Sequence, residues 1–174
     1  MNFQKLIEKD RTIPAIEEMM DRISAPKIDL GCGKNKRPGY IGVDCFDHHN
    51  VDVNTDIDGY MLPFADNSTN SIRAVHCLEH IEDAIMLWNE MWRICKPGSL
   101  IYIVVPHPQS GWFFQDPTHK TPYTEKTLKQ YFDGQYVNSF SEYGFKGKME
   151  SVCTFVYGLS FEKLAVHSVL QVIK

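Results

Sequence analysis

Apolar residues in this chain gather in short runs closed off by glycine, proline or acidic residues, a spacing that favours buried strands over long helices. The runs predict strands at Lys27–Leu30, Tyr40–Asp44, Val51–Asn54, Ile72–Cys77 and Leu100–Val105. Between the last two, Ile85, Trp88, Met91, Trp92 and Cys95 mark one apolar stripe, which predicts a helix over Asp83–Cys95 ended by Lys96-Pro97-Gly98. In the segment Met1–Ser24, Ile16, Met19, Met20 and Ile23 recur at three- and four-residue steps, and Pro14 suits a first helical turn. Further on, Thr124 is placed to cap a helix reaching Phe132. The runs Met149–Tyr157 and Ala165–Ile173, joined by Gly158–Leu164, suit an antiparallel pair at a sheet edge. Strands alternating with helices imply an α/β architecture built on a mostly parallel sheet. No repeat, low-complexity tract or linker divides residues 1–174, so one domain is expected, with a lid-like loop over 106–122.

Composition narrows the functional classes. The 174 residues are 43% hydrophobic and 23% charged, enough to build one full core. A formal net charge of −4 provides no broad cationic field, so general nucleic-acid binding is not expected. The five cysteines (Cys32, Cys45, Cys77, Cys95, Cys153) show no C-x-x-C spacing and point to a reducing compartment. Met1–Asp10 lacks the apolar run of a secretory leader, and the longest apolar run, Leu100–Pro106, is far below a membrane span. A soluble, cytoplasmic protein without membrane attachment is expected.

The most informative stretch is Ile28-Asp29-Leu30-Gly31-Cys32-Gly33, followed eleven residues after Gly33 by Asp44, at the end of Gly42-Val43-Asp44. A strand running into two glycines brings bare backbone up to a ligand, and a carboxylate ending the next strand accepts hydrogen bonds from a ribose diol. A dinucleotide fingerprint requires a third glycine opening a helix. Lys36 occupies that position, and Lys34–Gly39 contains Pro38, which leaves no room for one.

The stretch resembles the first motif of the class I S-adenosylmethionine (AdoMet) methyltransferases, acidic-x-Gly-x-Gly. It resembles in particular a small form whose first crossover is cut down to a turn. The resemblance implies a Rossmann-like sandwich, mostly parallel with an antiparallel final strand, and AdoMet as cofactor. It further implies that Gly31, Cys32 and Gly33 line the cofactor, that Asp29 holds the methionine amino group, and that Asp44 takes the ribose. Asp56 and Ile57, in a segment continuing to Leu62-Pro63-Phe64, would meet the adenine amine and ring, with Phe46 covering one face. His76 joins these cofactor contacts, and Lys34, Lys36 and Arg37 would meet the methionine carboxylate. Asp52 and Asp58 read as solvated turn residues, as do His48 and His49.

His76-Cys77-Leu78-Glu79-His80 begins where the fourth strand ends, His107 follows the fifth strand, and His119 lies in Asp116-Pro117-Thr118-His119. Ligands in open α/β sheets sit at the carboxyl ends of strands, so these residues converge on one mouth. Two roles stay open. His76, Glu79, His80, His107 and His119 could hold a divalent metal. Alternatively His76, His80, His107 or His119 acts as a base or substrate contact, with His107 the first choice as base because Pro106 stiffens its turn. Gly111-Trp112-Phe113-Phe114 and Tyr123 are placed to cover an acceptor. An oxygen of a small molecule or sugar is the preferred acceptor. Other possibilities are a non-catalytic AdoMet-binding module completed by a partner protein and a metal-dependent hydrolase.

Overall fold

The computed structural model describes residues 12–134, 136–158, 160 and 163–174; the predicted helical segment before residue 12 lies outside them. Helix α1 (Ile13–Asp21) starts with Pro14 in its first turn and buries Ile16, Met19 and Met20, the predicted stripe. It is followed by β1 (Lys27–Leu30), β2 (Ile41–Asp44), β3 (Val53–Asn54), β4 (Thr69–Val75), α2 (Ala84–Ile94) and β5 (Cys95–Pro106). The carboxyl-terminal part adds α3 (Gly111–Gln115), α4 (Glu125–Phe132), α5 (Val137–Glu142), β6 (Lys148–Gly158) and β7 (Leu164–Ile173).

All seven strands form one sheet in the order β3-β2-β1-β4-β5-β7-β6. Strands β1 to β5 run parallel, and β7 is antiparallel to both neighbours, β5 and β6. The antiparallel pair is as expected. One face packs Ile28, Leu30, Ile72, Ala74, Ile101 and Ile103 against α2, α4 and α5; the other packs Leu100, Tyr102, Val104 and Val169 against α1. No described helix is long and apolar enough to cross a membrane.

Two element boundaries depart from expectation. Strand β4 starts at Thr69, three residues ahead of the predicted Ile72, because the Thr69 hydroxyl donates to Pro26 O at 3.0 Å and the Thr69 carbonyl accepts from Ser99 Oγ at 3.0 Å. Satisfied hydroxyls let polar residues enter a buried strand. Lys96-Pro97-Gly98 does not form a loop after α2. The helix ends at Ile94 and β5 begins at once, its ladder to β4 shifting register between Thr69 and Ser71. The short helices α3 and α5 were not anticipated.

Between β1 and β2 no described residue is helical, so the first crossover is a bare loop, as expected. Salt bridges from its basic residues hold it down. Arg37 pairs with Asp21 and Glu17 of α1, and Lys36 Nζ reaches Asp52 at 2.8 Å.

Candidate active site

The carboxyl ends of β1, β2 and β4 form one side of the mouth. Gly31 and Gly33 both have positive φ (64° and 52°), a backbone state that side chains disfavour. Their surroundings differ. A Cβ on Gly31 would lie 2.5 Å from Cys77 Sγ, so this glycine is also demanded by packing; a Cβ on Gly33 would meet nothing within 4 Å. The backbone at Gly33 therefore opens onto free space.

Asp44 shapes that space. One carboxylate oxygen accepts from Gly33 N at 2.7 Å and the other from Phe46 N at 2.9 Å, which locks the two loops together. Each oxygen retains a lone pair for a further donor. Phe46 stands beside it 68% exposed, its ring open to a flat ligand. Asp56 is exposed, its Oδ1 accepting from Asp58 N at 2.9 Å, while Ile57 is buried in the core. Cys32 is buried, and burial together with Asp29 and Asp44 pushes its thiol up to about 11, so it stays protonated and unreactive.

Several predicted roles are corrected by the geometry. Asp29 is buried, accepting from Arg73 at 2.9 Å and from Arg37 N at 2.7 Å, so its carboxylate braces the loop instead of greeting a ligand. Lys36 and Arg37 are tied up as described above; of the three basic loop residues, only Lys34 has no such pairing among the described residues. Asp52 is no idle turn residue, since it accepts from Gly42 N at 2.7 Å as well as from Lys36. Asp58 accepts from the backbone of Glu82 and Asp83 and from Lys120, fixing the approach to α2. Burial opposes its charge, yet these donors hold its carboxyl below the ordinary range.

The other side of the mouth is a cleft of about 580 Å³ lined by His76, Glu79, His80, Pro106, Trp112, Gln115, Asp116, Pro117 and His119. Three of the four predicted histidines meet there. His107, the favoured base, does not: it is 6% exposed, its Nδ1 accepts from Gln109 N at 3.1 Å, and its Nε2 faces Glu125 at 3.5 Å. It staples the turn after β5 and is buried outside the cleft lining.

His76 leaves β4 with φ at 53°, a strained state for a residue with a side chain, of the kind that clusters at functional sites. Its backbone N donates to Val104 O at 2.8 Å and its Nδ1 lies 3.3 Å from Glu79 Oε1. The ring also meets the edge of Trp112, with centroids 6.1 Å apart. Glu79 sits in the 3₁₀ turn Leu78–His80 and is 1% exposed. Its carbonyl accepts from Lys120 N and Thr121 N, so the loop carrying His119 is pinned to the turn carrying His80. The two imidazoles lie 4.8 Å apart, and Phe113 stands 5.3 Å from His119. Of the aromatic loop, Phe113 packs inward, whereas Trp112 and Phe114 face solvent; Tyr123 is buried rather than facing the mouth.

A family profile described as a methyltransferase domain matches residues 43–103, from the end of β2 to the middle of β5. The fold around that stretch is the fold of solved methyltransferases. Solved methyltransferase structures share its fold across nearly its whole length. An S-adenosylmethionine-dependent methyltransferase from Archaeoglobus fulgidus is 20% identical with a TM-score of 0.58, over 98% of this chain and 100% of that one. A chain from the Haloferax volcanii complex containing the Trm112 methyltransferase activator is 15% identical with a TM-score of 0.60, over 98% and 94%. The Burkholderia thailandensis 1,6-didemethyltoxoflavin-N1-methyltransferase, solved with bound 1,6-didemethyltoxoflavin and S-adenosylhomocysteine, is 11% identical with a TM-score of 0.66, over 92% and 76%. No curated protein matches this chain. The bare first crossover and the histidine cleft are built on this fold.

Proposed function

We propose that the protein transfers the methyl group of AdoMet to an acceptor held in the histidine cleft, with an oxygen of a small molecule or sugar as the preferred target. The observation that carries this reading is the open backbone at Gly33 clamped to Asp44 beside an exposed Phe46. These residues fit a nucleoside: Asp44 offers its remaining lone pairs to the ribose hydroxyls, Phe46 covers the adenine face, and Asp56 with the backbone of Ile57 addresses the adenine edge. Lys34 is the basic residue left for the methionine carboxylate. AdoMet, when bound, supplies a methyl group on positively charged sulfur. The chain's own task is to align a nucleophile behind that carbon and to exclude water.

His76 is the proposed base. Its Nδ1–H donates to Glu79, which fixes the ring and leaves Nε2 toward the cleft to take a hydroxyl proton. Trp112 and Phe114 flank the entrance and serve to close over a flat or sugar-like acceptor. The five cysteines are all free, which suits the cytoplasm as the proposed setting. The similarity to a chain from an activator complex, together with exposed Phe114, supports a second reading, an AdoMet-binding module that a partner protein completes.

Calorimetric titration with AdoMet and S-adenosylhomocysteine tests the cofactor assignment. Both should bind, and Asp44→Ala should weaken both by at least about tenfold, one ribose-type charged hydrogen bond being worth roughly 1.5–3 kcal/mol. Unchanged affinity in that variant rejects the site. Transfer of labelled methyl into a fractionated extract by the isolated chain separates the enzyme from the partner-dependent module.

A further inference from the structure

We propose that Glu79, His80 and His119 form a binding site for one divalent zinc-type ion at the floor of the cleft. One ligand atom from each of the three lies within 4.8 Å of the other two. Around a tetrahedral zinc with bonds of ~2.0–2.1 Å, ligand atoms stand about 3.4 Å apart, so closing the set takes only small side-chain rotations.

The hydrogen bonds behind the ligands already select the protonation pattern that metal binding requires. His119 Nδ1 lies 2.8 Å from Phe113 O, and a carbonyl only accepts, so Nδ1 carries the hydrogen and Nε2 the lone pair. For His80, the Thr118 hydroxyl donates to Asp116 at 2.6 Å and therefore accepts from His80 Nδ1 at 3.0 Å, with Thr118 O also within 3.3 Å. Both rings thus turn unprotonated Nε2 atoms outward from backbone-anchored Nδ1–H groups, the outer arrangement usual behind metal-bound histidines.

Glu79 supplies the second, independent observation. It is 1% exposed, and among the described residues its Oε1 is met only by His76 and its Oε2 has no hydrogen-bond partner. A buried carboxylate oxygen left without a partner is costly, and a cation beside it removes the cost. Asp116, whose Oδ2 is 3.9 Å from His119 Nε2, adds negative charge at the rim. Two imidazoles and one carboxylate suit zinc or a neighbouring transition ion and not magnesium or calcium, which favour all-oxygen shells. Three protein ligands leave the fourth position open toward the cleft. That this position would hold an acceptor hydroxyl rests on the methyl-transfer reading; the ion site does not.

Chelator-treated protein titrated with zinc chloride should take up one ion per chain, and cobalt(II) in its place should give the visible spectrum of a tetrahedral site. His119→Ala and Glu79→Gln should each weaken binding by at least about tenfold, while the double variant His48→Ala/His49→Ala keeps it. Should Glu79→Gln fail to fold, His119→Ala alone decides the matter. No zinc uptake, binding that survives His119→Ala, or binding lost with His48 and His49 would overturn the proposal. AdoMet titration of the same samples keeps the two assignments separate, because zinc uptake without cofactor affinity rejects methyl transfer and leaves the ion site standing.

Discussion

His76 and His107 both follow sheet strands, yet their environments assign them opposite tasks. His76 presents a ring to the cleft with its inner nitrogen held by a buried carboxylate, while His107 is buried with its Nδ1 engaged by Gln109 N in the turn. Replacing His76 with Asn, which tolerates positive φ, should cut turnover about 10²-fold or more, the usual scale for a lost base, and leave the thermal midpoint nearly unchanged. His107→Ala should show the reverse: a stability loss of roughly 1–3 kcal/mol in urea unfolding, because Gln109 N loses its buried acceptor, with no altered pH profile for the chemical step. The neighbouring chemistry of Asp44, Gly31 and Gly33 could be seen in the linear sequence because chain-local spacing creates it. The role of His107 could not. Its fate depends on Glu125, eighteen residues away, and imidazole chemistry alone does not distinguish a staple from a base. Asp29 misleads for the same reason, since its partner Arg73 lies on a different strand.

Helix α4 shows how far a local signal carries. Thr124 accepts from Thr127 N at 3.0 Å and the Thr127 hydroxyl accepts from Thr124 N at 3.2 Å, a reciprocal cap at the predicted position. Thr124→Ala should therefore cost about 1 kcal/mol of unfolding free energy, read from the urea midpoint. Where Asp58 clamps the start of α2, Asp58→Ala should speed amide exchange at Glu82 and Asp83 far more than at Met91 in the middle of the helix. Elements with a cap and an apolar stripe could be read directly. Helix α5 could not, because Phe140 is its one buried residue and six residues carry too little periodicity. The start of β4 was hidden in another way: Thr69 looks like a turn former until the neighbouring Pro26 and Ser99 are in place to bond it.

The whole sheet responds to acid through a group remote from the cleft. His167 on β7 lies in the sheet face under α1, its Nδ1 hydrogen-bonded to the Tyr102 hydroxyl at 3.0 Å and its ring stacked 5.4 Å from Phe155. Burial, aided by His76, pulls its value from 6.5 down to about 4. A folded value below the unfolded one means that the unfolded chain takes up the proton first. The stabilisation is thus complete above 6.5 and drains away as the pH falls toward about 4, on the order of 3 kcal/mol in all. Unfolding midpoints measured across that window should fall steeply in the native protein and less steeply in His167→Gln. An equal slope in both would place the acid sensitivity elsewhere.

Because Arg37 reaches back to Asp21 and Glu17, the first helix is a guy-rope for the nucleoside pocket as well as a cover for the sheet. A chain trimmed to begin at Ala25 would still possess both glycines and Asp44, but the span beside them would lose the Arg37 guanidinium's mooring and keep only its ties to Asp29 and Asp52. Such a shortened protein should grip its nucleoside less firmly although every group that touches it is intact.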